Sequence, residues 1–129
     1  MMRPVSAKLK SVFLVVAMLA ASATQAGTLW CTGSVVELGV HLPNQLLVRL
    51  SSMNDRAVIC FLDATYSAPG QLAGITSATT CKSMYANLLA ARASGQTVQM
   101  VMDGDQVPAQ CGSFANWSNV SLRYLSNWP

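Results

Sequence analysis

The segment that most constrains the fold is TTCKSMYANLLAARASGQTVQMVMDG, residues 79–104, which has the pattern of a helix that runs directly into a strand. Thr79 or Thr80 can cap the start of this helix by accepting hydrogen bonds from first-turn amides. Gly95 is placed to end it in the left-handed conformation. Large side chains recur at helical spacing and predict a face that packs on a sheet: Cys81, Met84, Tyr85, Leu88 and Leu89.

Five segments have the pattern of strands, either alternating or wholly apolar: residues 28–42, 46–53, 56–63, 96–103 and 119–125. Asn54 and Asp55 suit a tight turn between the second and third strands. Alternation predicts that Val98, Met100 and Met102 point inward from the fourth strand. On the last strand it predicts one shared face for Val120, Leu122 and Tyr124.

The order of these elements is β-β-β-α-β-β. A parallel β-α-β fold would need more helices, whereas five short strands with one helix after the third match an OB-type barrel. The sequence therefore predicts a mainly β fold with one helix (α+β), arranged as an OB-fold-like five-stranded barrel.

Residues 1–26 have the pattern of a secretory signal peptide. Arg3, Lys8 and Lys10 precede a short apolar run, and small residues lead to a cleavage point after Ala26. An uncleaved membrane anchor is the alternative, but the run is shorter than the roughly 20 residues of a spanning helix. We expect an exported protein, periplasmic or extracellular, with one domain at residues 27–129 and no membrane span after cleavage.

The net charge of +3 belongs to this first segment. Residues 27–129 hold five basic and five acidic side chains, so the exported domain is neutral. Proteins that bind nucleic acid usually carry a basic patch, because phosphate contacts supply much of their affinity. Nucleic acid is therefore not an expected partner.

The four cysteines, Cys31, Cys60, Cys81 and Cys111, all lie in the predicted exported domain. An even number in a small exported domain predicts two disulfide bonds, and four cysteines allow three connectivities. Their spacing contains no C-x-x-C and His41 is the sole histidine, which does not favour a zinc site. We expect neither a metal nor a cofactor.

The segments CKSMYANLLAARASGQTVQMVMDG and CGSFANWSNVSLRYL resemble small secreted bacterial proteins related to the subtilase-cytotoxin binding (B) subunit. In that group a helix of the form Y-x-x-L-L-x-A-x-x-(S/T)-G enters a strand, and a cysteine and a tryptophan precede the last strand. The matching positions are Tyr85, Leu88, Leu89, Ala91, Ser94, Gly95, Cys111 and Trp117. The resemblance covers roughly residues 81–125 and implies the OB fold of AB-type toxin B subunits, which commonly form pentameric rings.

For the disulfides we favour Cys60–Cys81, which would tie the third strand to the start of the helix. The second pair would then be Cys31–Cys111, between the first strand and the last loop.

Catalytic chemistry is not indicated. One histidine, five scattered acids and no G-x-S-x-G motif leave no nucleophile with an evident base, so we do not expect an enzyme. Asp103-Gly104-Asp105 is better explained by a turn than by a calcium loop, which needs about six oxygen ligands.

A tryptophan near a segment end can be partly exposed and stack on a sugar, and Trp30, Trp117 and Trp128 are so placed. Trp117 is the predicted ligand-binding residue, with Asn116 and Asn119 as neighbours that can supply hydrogen bonds. The alternative is that these rings fill or cover the core.

On the helix, small residues recur on a second face at Ala86, Ala90 and Ala93. They can form an oligomer interface, or simply an alanine-rich solvent face. The sequence thus predicts a secreted non-catalytic binding module, glycan-binding and ring-forming in the manner of toxin binding subunits. The alternative is a secreted inhibitor or interaction factor that binds another exported protein.

Overall fold

A computed structural model describes residues 27–72 and 74–128, so the predicted signal peptide lies outside the described residues. Its elements are β1 (Gly27–His41), β2 (Gln45–Leu50), β3 (Ala57–Phe61), α1 (Ala78–Ser94), β4 (Thr97–Gly104), β5 (Ser118–Asn119) and β6 (Ser121–Trp128). A single 3-10 turn at Cys111–Ser113 lies between β4 and β5. The fold is mainly β with one helix, as predicted.

The strands form one mixed sheet in the order β5-β3-β2-β1-β4-β6. The long strand β1 pairs with β4 through its first half and with β2 through its second half, with a register shift between Val35 and Glu37. Since a bulge bends its strand and increases the local twist, the sheet curls into a half-barrel around the core. Only the short β3–β5 pair is parallel among the described strands.

The prediction of five strands is wrong, because the last predicted strand is two strands. Ser118 and Asn119 pair with β3, whereas the chain from Ser121 onward pairs with β4. Val120 lies between them, and its amide donates to the Val58 carbonyl at 3.0 Å. The chain therefore changes its strand partner at Val120, which sequence alternation does not reveal.

The N-cap of the helix lies two or three residues earlier in the sequence than predicted. Ser77, rather than Thr79 or Thr80, is the N-cap, and its hydroxyl accepts from the Thr80 amide at 3.1 Å. Gly95 ends the helix in the left-handed conformation, as predicted. A glycine suits this position because it has no Cβ to clash at positive φ.

The buried side of α1 is narrower than predicted. Cys81, Leu88 and Ala91 are buried, and Met84 and Tyr85 are partly buried against the core, but Leu89 is 49% exposed. Leu89 follows Leu88 by about 100° around the helix, so it falls at the border of the packed stripe and Ala91 takes the inward position.

The inward side chains of β4 are as predicted: Val98, Met100 and Met102 are all buried. On β6 the prediction is partly wrong, since Leu122 is buried and Tyr124 is 53% exposed. Leu122 pairs with Met102 and Tyr124 pairs with the adjacent Val101, which leaves Arg123 as an extra residue. This bulge interrupts the alternation and turns Tyr124 outward.

Both favoured disulfides are confirmed. Cys31–Cys111 and Cys60–Cys81 join residues whose Cα atoms are 5.8 and 5.7 Å apart. Two disulfides suggest an oxidising, exported environment.

In the part of the chain that the structure describes, no helix is long and apolar enough to cross a bilayer.

The connection between β3 and α1 is attached to the sheet by Tyr66. Its backbone pairs with Thr76, and its hydroxyl donates to the Val58 carbonyl at 3.2 Å. Burial raises the pKa of the Tyr66 hydroxyl, which keeps it protonated as a donor.

Candidate functional site

The outward side of β1, β4 and β6 carries exposed aromatic side chains, and we call it the aromatic face. Trp30 is 60% exposed, Tyr124 53% and Trp128 49%. Among the described residues these are all the exposed tryptophan, tyrosine and phenylalanine side chains. Trp30, Val101 and Tyr124 form one row across the three strands, and Val101 between the rings is only 4% exposed.

Strand geometry explains why these side chains point outward. Cys31 is held inward by its disulfide, so its neighbour Trp30 must lie on the opposite side of β1. Val101 alternates with the buried Met100 and Met102 in the same way. Neighbouring strands are about 4.8 Å apart, which separates Trp30 from Tyr124 across β4 by about 10 Å.

Uncharged polar side chains lie beside the aromatic residues. Gln99 is opposite both Thr32 and Ser126, and its Nε2 donates to the Thr32 hydroxyl at 3.3 Å. Among the described residues there is no pocket, so this face is an open surface.

One end of the aromatic face holds four polar residues, Thr28, Asp103, Ser121 and Arg123, which we call the Asp103 cluster. Thr28, Asp103 and Ser121 occupy one row across the three strands. Asp103 is fully buried, and its Oδ2 lies 3.4 Å from Nε of Arg123. That contact lacks hydrogen-bond geometry, and neither carboxylate oxygen has a hydrogen-bond partner within the described chain.

Trp117, the predicted ligand-binding residue, lies elsewhere, next to the parallel β3–β5 pair. It is half-buried against the core, and the ring of His41 approaches it edge-on with centroids 4.6 Å apart. The guanidinium of Arg56 lies over the indole at 5.7 Å, within the range of a cation–π interaction. His41 and Arg56 thus already contact much of the indole that a sugar would use.

The backbone of Trp117 has a φ of +62°, which is uncommon for a large side chain. Such conformations persist where the surroundings fix them, and they are frequent at functional sites. The ligand role of Trp117 stays a prediction, and it is the alternative to a ligand on the aromatic face.

The two predicted neighbours of Trp117 have different surroundings. Asn116 is exposed, whereas Asn119 is partly buried in β5 and its backbone amide donates to Oε1 of Gln106 at 2.7 Å. Their hydrogen-bonding role toward a ligand also stays a prediction.

Charged side chains near Trp117 are paired with one another, and we call them the ion-paired surface. Glu37 lies 3.3 Å from Nε of Arg49 and 3.2 Å from Nη1 of Arg56, and Arg56 also approaches Asp55 at 3.7 Å. These side chains are about one-third exposed. The charges on this surface neutralise one another.

The predicted helix interface is solvent-accessible in the single chain. Ala86, Ala90 and Ala93 are exposed, and Leu89 adds a large apolar side chain beside them. An interface on this side of α1 stays a prediction.

Within residues 27–72 and 74–128, no three His, Cys, Asp or Glu side chains are grouped so that they could hold a metal ion.

Sequence reasoning noted Trp30 and Trp128 but missed Tyr124 and Asp103 as members of a site. A signal for Asp103 was present, because it continues the outward alternation of Gln99 and Val101 on β4. Tyr124 could not be found in this way, since the bulge at Arg123 reverses the alternation.

Comparison with protein-family models, with curated proteins and with solved structures gives no match for this chain.

Proposed function

We propose that this chain is an exported, non-catalytic binding module that holds a glycan on the aromatic face. The observation that carries the proposal is that Trp30, Tyr124 and Trp128 lie on one side of three neighbouring strands of the sheet, each about half exposed. Exposed apolar patches rimmed by polar residues mark interaction sites. A small domain gains no stability from leaving such large rings in water.

A glycan fits the composition of this face. The apolar side of a pyranose packs on aromatic rings, and its hydroxyl groups need amide and hydroxyl partners. Gln99, Thr32 and Ser126 supply such groups between the rings. The surface has no enclosed cavity, which suits a chain of sugars lying across the strands better than a small molecule that must be enclosed.

An OB-type architecture is part of the proposal. If β5 and β6 are counted as one strand interrupted at Val120, the order becomes β-β-β-α-β-β, and the last strand pairs with both β3 and β4. This order and pairing support the OB-type architecture that we propose. Assembly into a ring through Ala86, Ala90 and Ala93 belongs to the same proposal, and light scattering on the exported protein would test it, since a monomer would contradict it.

The test is retention on a glycan array by the exported, oxidised protein. We expect Trp30→Ala and Tyr124→Ala each to reduce retention about tenfold, because each removes one stacking surface. Leu72→Ala is the matched control, since Leu72 is a large apolar residue with 63% exposure on the loop before α1. Equal retention of the wild type and both aromatic variants would contradict the proposal.

An inhibitor or interaction factor for another exported protein is the second candidate. Tryptophan and tyrosine are also enriched at the centres of protein interfaces, so the same three residues favour it. Pull-down from periplasmic extract would then give a stoichiometric partner that Trp30→Ala loses, with no retention on the array.

A further inference from the structure

In the Asp103 cluster the side chain of Arg123 spans three neighbouring strands. Arg123 on β6 reaches Thr28 on β1, where Nη1 lies 3.5 Å from the threonine hydroxyl. Because β4 lies between these strands, the arginine side chain crosses over Asp103. The carboxylate is thus covered by one long, 42% exposed side chain.

Two polar side chains beneath Arg123, those of Asp103 and Ser121, lack hydrogen-bond partners within the described chain. Neither oxygen of Asp103 makes a hydrogen bond within the described chain, and neither does the hydroxyl of Ser121, its neighbour in the same row. Asp103 is fully buried and Ser121 is 1% exposed. Most buried polar groups in proteins have a hydrogen-bond partner, and a buried carboxylate with one imperfect ion pair is costly.

The cluster continues the aromatic face. Val101 and Asp103 are two residues apart on β4, so their outward rows are about 7 Å apart. A ring stacked on Trp30 or Tyr124 would therefore place its hydroxyl groups near Asp103 once Arg123 rotates aside. The bulge at Arg123 directs both this side chain and Tyr124 to the same side of the sheet.

We propose that Asp103, Ser121 and Arg123 form a subsite for adjacent hydroxyl groups of an uncharged sugar, at the end of the aromatic face. This inference rests on the proposed function. The two carboxylate oxygens accept hydrogen bonds from two neighbouring hydroxyls, and the displaced guanidinium donates to a ring or hydroxyl oxygen. No covalent step is involved.

The paired charges of Asp103 and Arg123 favour one class of ligand. Asp103 and Arg123 neutralise each other, so an uncharged sugar can displace their contact without adding a charge. A carboxylate on the sugar would approach the buried Asp103 and be repelled in a region of low dielectric. The subsite therefore favours neutral hexoses over uronic or sialic acids.

The experiment uses an array that carries neutral hexose oligosaccharides and their counterparts ending in uronic or sialic acid. We expect the wild type to be retained on the neutral members. Asp103→Asn should reduce retention about tenfold, because hydrogen bonds to a charged acceptor are lost. Ser121→Ala should reduce retention two- to fivefold. This variant tests the subsite if Asp103→Asn fails to fold. Thr65→Ala, an exposed hydroxyl away from the sheet, is the control for Ser121→Ala.

The outcomes separate the two proposals. Retention of the wild type on neutral sugars with loss in Asp103→Asn and Ser121→Ala supports the subsite. If the wild type and both Asp103 cluster variants are retained equally while Trp30→Ala is lost, the subsite is overturned and the glycan function stands. Retention confined to acidic sugars also overturns the subsite. If the wild type is retained nowhere, both proposals are overturned.

Discussion

The two halves of β1 support outer surfaces of opposite character. On the second half, Glu37 is paired with Arg49 and Arg56, and Arg56 in turn covers Trp117. On the first half, Trp30 is exposed and Asp103 is buried without hydrogen bonds. On the ion-paired surface each charge lies beside an opposite charge, although Nε of Arg56 has no hydrogen-bond partner within the described chain. On the aromatic face the large rings are exposed, and Asp103 has one ion pair and no hydrogen bond. This difference is why we assign ligand binding to the aromatic face.

Each half of the sheet has one disulfide: Cys31–Cys111 begins on β1 beside the aromatic face, and Cys60–Cys81 joins β3 to α1. Removing them should have the largest effect on stability. In the chain-entropy description the 80-residue separation of Cys31–Cys111 contributes about 4.5 kcal/mol and the 21-residue separation of Cys60–Cys81 about 3.3 kcal/mol. We expect the Cys31→Ala/Cys111→Ala variant to be the less stable of the two double variants. Urea unfolding measures this, and the reverse order would show that the half with the aromatic face depends less on its disulfide than the other half.

Trp117 and Trp30 should differ in how much each contributes to the free energy of unfolding. Trp117→Ala removes a half-buried ring together with its contacts to His41 and Arg56, and we expect it to lower the free energy of unfolding by about 2 kcal/mol. Trp30→Ala removes a ring that is 60% exposed and should cost less than about 1 kcal/mol. Thermal and urea unfolding of both variants test this. A larger loss for Trp30→Ala would mean that this ring is structural.

Replacing Glu37 or Asp103 should have the smallest effects on the free energy of unfolding, and only the loss of Glu37 should clearly lower it. Glu37→Gln breaks two partly exposed ion pairs and should destabilise the fold by about 0.5–1 kcal/mol. Asp103→Asn keeps the side-chain shape and removes a buried charge without hydrogen bonds, so stability should stay within about 0.5 kcal/mol of wild type or rise.

The same unfolding measurements can contradict the expectation for Asp103→Asn. Breaking a buried ion pair that stabilises a fold costs about 3–5 kcal/mol. A loss of that size in Asp103→Asn would show that its contact with Arg123 is structural, and the contrast between the two surfaces would fail.

Much of the fold could be predicted from local patterns. The helix followed from its apolar spacing and from Gly95, and the inward residues of β4 followed from alternation. The disulfide pairing was also right, because a helix start beside the third strand places Cys60 near Cys81.

The features that were predicted wrongly depend on contacts between residues that are distant in sequence. The bulge at Arg123 exists because β6 adapts to β4, and the break at Val120 exists because β5 pairs with β3. Leu89 lies at the edge of the packed stripe of α1 and is 49% exposed, although its spacing predicts an inward side chain. Alternation within one strand carries none of this information, so the aromatic face could be predicted only in part.

Ligand retention by two single tryptophan variants tests the central claim most directly. The wild-type protein with both disulfides formed would be compared with Trp30→Ala and Trp117→Ala on the same glycan array, each after its folding has been checked by circular dichroism. We predict that Trp30→Ala loses about tenfold in retention while folded Trp117→Ala stays within about twofold of wild type. Loss confined to Trp117→Ala would contradict the account and place the ligand beside His41 and Arg56 instead.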